Sequence, residues 1–340
     1  MKKALVALAV AGVVAPVAQA DNVVIYGRLN TAGQYTKIQD GAKDTTVANQ
    51  NSRFGLKGEE KIGSLTAEFQ IENGFDSTTG GDGLASRDTF VGLKGDFGRV
   101  RLGKNETPTW TLFDTTVAKF HHAGIADVTA TGTGGTPRAG SLSAVGDLGS
   151  RFSKSVIYRT PDFGGIVASV QAADATTTYK RLWDGSITYG NGATPITAGL
   201  AVRSAKTIGG NEKNDNIYVL AGKFKQDLFD VSAAYERDDY KSTDTKINKA
   251  FLSGQYNMGN AALVGSLGWA GKAKVAGTSV NDSNAIQYIL GAQYDLSNRT
   301  QVYGYYTKLD NKNAATYSFV SATPVGKDNQ GVVLGVRHNF

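Results

Sequence analysis

The chain has 340 residues, with 36 Lys and Arg against 30 Asp and Glu, a formal net charge of +6 and no cysteine. This mild basicity leaves no nucleic-acid footprint, and the lack of cysteine excludes a disulfide framework and thiol chemistry. Mean hydropathy is −0.25, and no run of about 18 apolar residues follows the first twenty, which excludes helical membrane spans but not a membrane β-barrel, whose apolar half hides in alternate positions.

The chain opens with "MKKALVALAVAGVVAPVAQA": two lysines, an apolar stretch interrupted by Pro16, and a small-residue finish at Ala18-Gln19-Ala20. This pattern predicts a secretory signal peptide over residues 1–20, cut before Asp21, with 21–340 forming one barrel domain. Without Lys2 and Lys3 the mature chain keeps 34 basic against 30 acidic residues.

From Val23 onward, alternating segments follow one another. In "VVIYGRLN", Val23, Ile25, Gly27 and Leu29 share one face, and Tyr26, Arg28 and Asn30 share the other. "SRFGLKGEE" sets Phe54 and Leu56 against Arg53, Lys57 and Glu59, and "LTAEFQIEN" sets Leu65, Ala67, Phe69 and Ile71 against Thr66, Glu68, Gln70 and Glu72. One apolar face and one charged face is the pattern of a strand. Short turn-forming connections lie at 61–64, 96–99, 161–165, 190–195, 226–229, 257–260 and 296–299. They are rich in Gly, Asn, Asp and Pro, which supply turn dihedrals. Between them lie longer polar stretches near 38–50, 74–85, 106–150, 174–181, 206–214, 239–246, 272–283 and 310–330. Seven short turns alternating with eight long loops join sixteen strands and put both termini on the short-turn rim. The expected fold is therefore all-β: a closed, sixteen-stranded antiparallel transmembrane barrel with its polar faces lining a wet interior.

The last residues, "GVVLGVRHNF", keep the alternation to the end, with Val332, Leu334, Val336, His338 and Phe340 on one face. The final strand is expected to pair with "VVIYGRLN" to close the barrel, and Phe340 to sit in an aromatic girdle at the membrane interface.

The stretch from Glu106 to Ser150 is about 45 residues long, well beyond the usual loop. Its first part, "ETPTWTLFDTTVAKFHHAG", carries Trp110, Phe113 and Phe120, an apolar content that fits a loop folded into the lumen better than one on an outer surface. Strand parity places Arg28, Arg53, Arg87 and Arg101 on the lumen wall, with Lys57 and Arg159 as further candidates. The inserted loop offers Glu106, Asp114 and Asp127 opposite them. A basic wall facing an acidic loop creates a transverse field across the narrowest section, and the expected outcome is a weak preference for anions.

Other chemistries fit less well. His121 and His122 are adjacent and point opposite ways in an extended segment, so they do not share a metal, and no G-x-S-x-G motif or phosphate-binding glycine loop is present. No cofactor, metal or catalytic residue is expected. A plugged transporter needs a domain ahead of the first strand, and strand periodicity begins at Val23. An adhesin would use the long loops near 74–85 and 310–330. Asp238-Asp239 reads as a solvated acidic run in an exposed loop, able to hold divalent ions beside lipopolysaccharide.

The segments "VVIYGRLN", "SRFGLKGEEKIGSLTAEFQIENGF", "SRDTFVGLKGDFGRVRLGK", "SVIYRTPDFGG", "YDLSNRTQVYGYY" and the terminal "GVRHNF" together resemble the trimeric general-diffusion porins of Gram-negative bacteria, of the beta-proteobacterial or neisserial type. The resemblance spans the whole mature chain. It implies a sixteen-stranded barrel in the outer membrane, a homotrimer, a third long loop folded into the channel, and passive diffusion of small hydrophilic solutes and ions. It also implies that the terminal Phe340 is read by the barrel-assembly machinery.

Overall fold

The structure is a computed structural model that describes residues 23–80, 84–117, 124–129, 142–145, 149–174, 179–190, 194–208, 213–320 and 323–340. The leader expected at 1–20, Phe120 and the His121-His122 pair lie outside the described residues. Strands β1 (Val24–Ile38), β2 (Lys43–Asn49), β3 (Arg53–Ile62), β4 (Leu65–Gly74), β5 (Thr89–Gly95) and β6 (Gly98–Glu106) precede helix α1 (Pro108–Thr116). After it come β7 (Arg151–Arg159), β8 (Ile166–Ala173), β9 (Tyr179–Tyr189), β10 (Ile196–Thr207), β11 (Asn214–Lys225), β12 (Phe229–Tyr240) and β13 (Thr245–Met258). The chain ends with β14 (Ala261–Ala270), the two-residue β15 (Lys274–Val275) and β16 (Thr278–Ser279), then β17 (Ala285–Asp295), β18 (Thr300–Asn311) and β19 (Asn329–Asn339).

All pairings are antiparallel and most join chain neighbours; β14 pairs with β17 past the β15–β16 hairpin, and β19 returns to β1 from Arg28↔Asn339 to Ile38↔Asn329. β2 and β3 both lie along β1 and form one interrupted stave, while β15 and β16 make a small hairpin beside the top of β13. The wall therefore has the expected sixteen staves. Closure follows from the solvent: in hydrocarbon each unpaired N–H or C=O costs several kcal/mol, and a closed sheet leaves no edge.

Two of the expected long loops are short. The chain turns at residues 39–42 and at 241–244, and the polar stretches around them are strand that rises above the membrane. β2 is exposed along most of its length. With water on both faces, apolar alternation is lost although the backbone ladder continues, so the sequence there reads as loop.

The outer surface carries the apolar face. Ile25, Leu29, Phe54, Leu56, Ile71, Val91, Leu200, Leu220, Leu263, Leu290, Leu334 and Val336 are all exposed, as they must be against lipid. Inside, several tyrosine rings lie over glycines that are their direct cross-strand partners: Tyr26 over Gly55, Tyr303 over Gly335 and Tyr305 over Gly291. Each glycine leaves the wall thin, and a ring from the next strand covers it. The same device closes the seam on the outside. Gly27 and Phe340 exchange two backbone hydrogen bonds of 3.0 Å, and the Phe340 ring occupies the space that a Cβ on Gly27 would take.

A Gly27→Val substitution should therefore displace the terminal ring and slow folding. Overpacking of this kind costs about 1–3 kcal/mol. The check is the folded fraction on refolding into detergent, read from the heat-modifiable gel shift: it should fall for the variant, and an unchanged fraction would refute the role of the Gly27–Phe340 contact.

Candidate functional site

The long segment after β6 enters the barrel through a well-capped helix. Thr107 has extended backbone, its hydroxyl accepts from the Trp110 N–H at 3.4 Å, and Pro108 fills the first turn, where no N–H is needed. α1 lies against the inner faces of β8 to β12. Its residues Trp110, Leu112 and Phe113 are buried, and Phe113 meets Phe251 edge-on at 5.1 Å. The bed that receives them is apolar: Ile217, Val219 and Ala221 on β11, Ala201 and Ala205 on β10, all buried. Glycines shape it into sockets. A Cβ on Gly199 would come 2.8 Å from Leu112, and one on Gly268 or Gly331 would collide with Leu142 or Ile125 of the same inserted segment.

Charge fixes the position. Asp184 accepts from the Thr109 N–H at 2.8 Å and the Thr109 hydroxyl at 2.7 Å, and its other oxygen pairs with Arg203 at 2.7 Å. Arg203 also donates to the Val145 carbonyl at 2.9 Å and to the Thr107 hydroxyl. Glu236 accepts from the Ser143 hydroxyl at 2.6 Å and the Ala144 N–H at 2.7 Å, and Lys249 pairs with Glu236 at 3.1 Å and Asp238 at 2.7 Å. Asp238 is thus a buried, paired carboxylate on β12, not part of the solvated loop read from the sequence.

The wall opposite the helix is basic. Arg28 and Arg53 are direct partners across β1 and β3, an arrangement that costs energy unless water or counter-charge offsets it. Arg28 donates to the Asn339 amide oxygen at 3.0 Å, and Arg337 on β19 donates to the Gln301 amide oxygen at 2.7 Å. Arg87 precedes β5 and pairs with Glu72, which also accepts from the Tyr26 hydroxyl at 2.9 Å. Arg151 pairs with Asp88 at 2.8 Å and Glu106 at 2.6 Å. Arg101 sits lower on the wall, 2.8 Å from Glu68 and stacked 3.9 Å over the Phe90 ring. Lys57 lies 5.2 Å from the centre of the Tyr26 ring.

The three acidic candidates divide. Glu106 is the last residue of β6, on the same wall as its partner Arg151. Asp114 comes from α1, and its carboxylate interacts with Arg53, Arg151 and Arg28 across the opening. Asp127 is 6% exposed and accepts from the N–H and hydroxyl of Thr129, both at 2.7 Å, which closes a turn within the inserted segment. Arg151, Arg337, Glu72 and Asp88 belong to the same cluster and were not singled out in the sequence. Arg151 had a signal: "SRF" occurs at 52–54 and again at 150–152. Burial pushes the Asp114 carboxyl up to about 6, helped by Asp127 and opposed by the arginines, and burial raises Asp127 to about 6 against its hydrogen bonds to Thr129.

A closed barrel, apolar outside and charged within, with a helix clamped across its lumen, defines a membrane channel. The chain belongs to the Gram-negative porin family, whose model matches residues 4–314, and it is a protein of the outer membrane. Outer membrane porin protein 32 of Delftia acidovorans is 29% identical, with 100% of each chain covered. The major outer membrane protein P.IB of Neisseria gonorrhoeae is 27% identical, covering 88% of this chain and 91% of that one. Among solved structures, an anion-selective porin from Comamonas acidovorans superposes with a TM-score of 0.77 at 26% identity, covering 94% of this chain and 99% of that one.

Two outcomes follow. Asp114 is charged above its pKa of about 6 and neutral below it. Lowering the pH from 8 to 5 should therefore raise the anion/cation permeability ratio, by about threefold to tenfold for one charge about 6 Å from the ion path. Asp114→Asn should remove most of that change, and reversal potentials at the two pH values measure it. Arg203→Ala should leave Asp184 buried without its partner, a loss of about 3–5 kcal/mol. Single-channel recordings should then show a larger, noisier conductance while the β circular-dichroism signal stays unchanged.

Proposed function

We propose that this porin is a passive diffusion channel for small hydrophilic solutes and ions with a weak preference for anions. The observation that carries this reading is the position of Asp114 on α1 opposite Arg28, Arg53 and Arg151. One carboxylate on the helix faces a wall on which Arg28 and Arg337 are held by neutral amides rather than acids. Arg28, Arg53, Arg87 and Arg101 form the basic side, with Arg101 set below the others, and Asp114 supplies the opposing charge. Glu106 acts through Arg151, and Asp127 acts by holding the inserted segment. One unit charge about 6 Å away, at an effective dielectric of roughly 40–80, contributes about 0.7–1.4 kcal/mol. Several such charges bias anions over cations without excluding cations. A solved porin of similar shape, from Comamonas acidovorans, is described as anion-selective, which supports the same sign.

The functional unit is proposed to be a homotrimer. Exposed tyrosines and tryptophans toward the loop rim sit on β1 and on β9 to β18, at Tyr35, Trp183, Tyr218, Tyr235, Trp269, Tyr288 and Tyr306. The same level of β2 to β8 presents Val47, Ile71, Val91, Leu102, Val156 and Val170 instead. Interfacial aromatics belong where a wall meets lipid headgroups, so a sector without them fits contact with neighbouring protomers. The sequence of residues 1–20 supports export by a cleaved leader. Phe340 is proposed as the mark read by the barrel-assembly machinery, and lipopolysaccharide as the surrounding outer-leaflet lipid.

The test is the triple variant Arg28→Gln, Arg53→Gln, Arg87→Gln in planar bilayers under a salt gradient. Its anion/cation permeability ratio should fall by at least about tenfold. An unchanged reversal potential would remove these arginines from the selective section.

A further inference from the structure

Between α1 and the short-turn rim the lumen holds a vestibule of about 460 Å³. One register row crosses its wall: Lys94 pairs with Arg99, Arg99 with Arg159, Arg159 with Ser169, and Ser169 with Ser186, on five consecutive staves. Three cations in a line are followed directly by two hydroxyls. Neighbouring strands lie ~4.8 Å apart, so the stretch from Arg99 to Ser186 spans about 14 Å.

The cations are unequally neutralised. Lys94 pairs with Glu59 at 2.7 Å, and Arg99 shares Glu68, at 3.3 Å, with Arg101. Arg159 is exposed to the lumen, and no carboxylate lies within salt-bridge distance of it among the described residues. Placing an unpaired guanidinium beside Arg99 is unfavourable unless an anion visits. The hydroxyl side is equally uncommitted. Ser169, Ser186 and Thr197 line the vestibule, and their hydroxyls make no hydrogen bond to other described residues. A guanidinium fork binds carboxylate or phosphate oxygens in pairs, and serine and threonine hydroxyls both donate to and accept from a solute's own hydroxyls.

We propose that this vestibule is a binding site for anionic polyols: monosaccharides that carry a phosphate or carboxylate at one end. The charged end sits on Arg159 and Arg99, and the hydroxyls lie along Ser169 and Ser186. The proposal rests on the reading of the chain as a conducting porin and adds a substrate class to it. The vestibule reaches up to Asp88 and Glu106 of the basic wall, but the residues that hold the solute, Arg99, Arg159, Ser169 and Ser186, are not Arg28, Arg53 or Arg87, so separate variants distinguish charge preference from polyol binding.

The experiment measures chloride current through single channels with glucose 6-phosphate added on the short-turn side, and with inorganic phosphate and glucose in parallel. Glucose 6-phosphate should reduce the current saturably, with half effect at a concentration at least fivefold below that of inorganic phosphate, and glucose alone should have no effect. Arg159→Gln should raise the half-blocking concentration of glucose 6-phosphate at least fivefold. The double variant Ser169→Ala, Ser186→Ala leaves every charge in place and should raise it for glucose 6-phosphate but not for inorganic phosphate. Equal block by the two phosphates, or a double variant that behaves as wild type, would overturn the site while leaving the porin intact. A wild-type protein that opens no channel would overturn the porin reading and this proposal together.

Discussion

The structure depends on one constraint: no backbone amide can face hydrocarbon unpaired. A sheet in lipid must close, and here the first strand and the last meet to do it. The seam is finished by the two backbone hydrogen bonds between Gly27 and Phe340 and by the ring that lies over the glycine. The other glycine–aromatic pairs repeat this economy inside the wall. They draw on a composition rich in both partners, 42 glycines with 15 tyrosines and 14 phenylalanines. A glycine in a strand interior weakens it, and a ring from the neighbouring strand restores contact.

Closure leaves a wide cylinder, and the inserted segment lies across it against the inner faces of β8 to β12. Its position is held by contacts of high sequence separation: Asp184 with Thr109, Arg203 with Val145, and Glu236 with Ser143. Buried ion pairs such as these gain little net stability over an apolar core, but leaving one partner behind is costly. The segment therefore has one favourable seat. The basic wall has a different character, because its arginines alternate with carboxylates and amides and face water.

Most of the barrel was legible in the sequence. Strand alternation, the seven short turns and the paired termini all follow from a two-residue period that lipid outside and water inside impose together. The reading failed where that contrast disappears. β2 is exposed along most of its length, so it reads as loop; the top of β12 reads as loop because its buried inner face carries the polar Asp238 and Tyr240 instead of an apolar stripe. β11 is apolar on both faces, with Tyr218 and Leu220 outward and Ile217 and Val219 beneath the helix, and parity alone could not show that the inner face is a docking bed. The site was legible only in part for another reason. Parity says which residues share a face, and Arg28 and Arg53 are direct partners across β1 and β3. It does not say which lumen residues meet across the barrel, which is how Arg151, Arg337 and the Arg203 and Lys249 clamps escaped notice.

The two charge systems respond differently to dissolved electrolyte. Exposed arginines lose reach as ionic strength rises, with a screening length of about 8 Å at 0.15 M. The Arg203–Asp184 pair is shut away from solvent and is screened far less. In brackish or saline surroundings the mesh therefore keeps its gauge while the field of the lumen arginines fades.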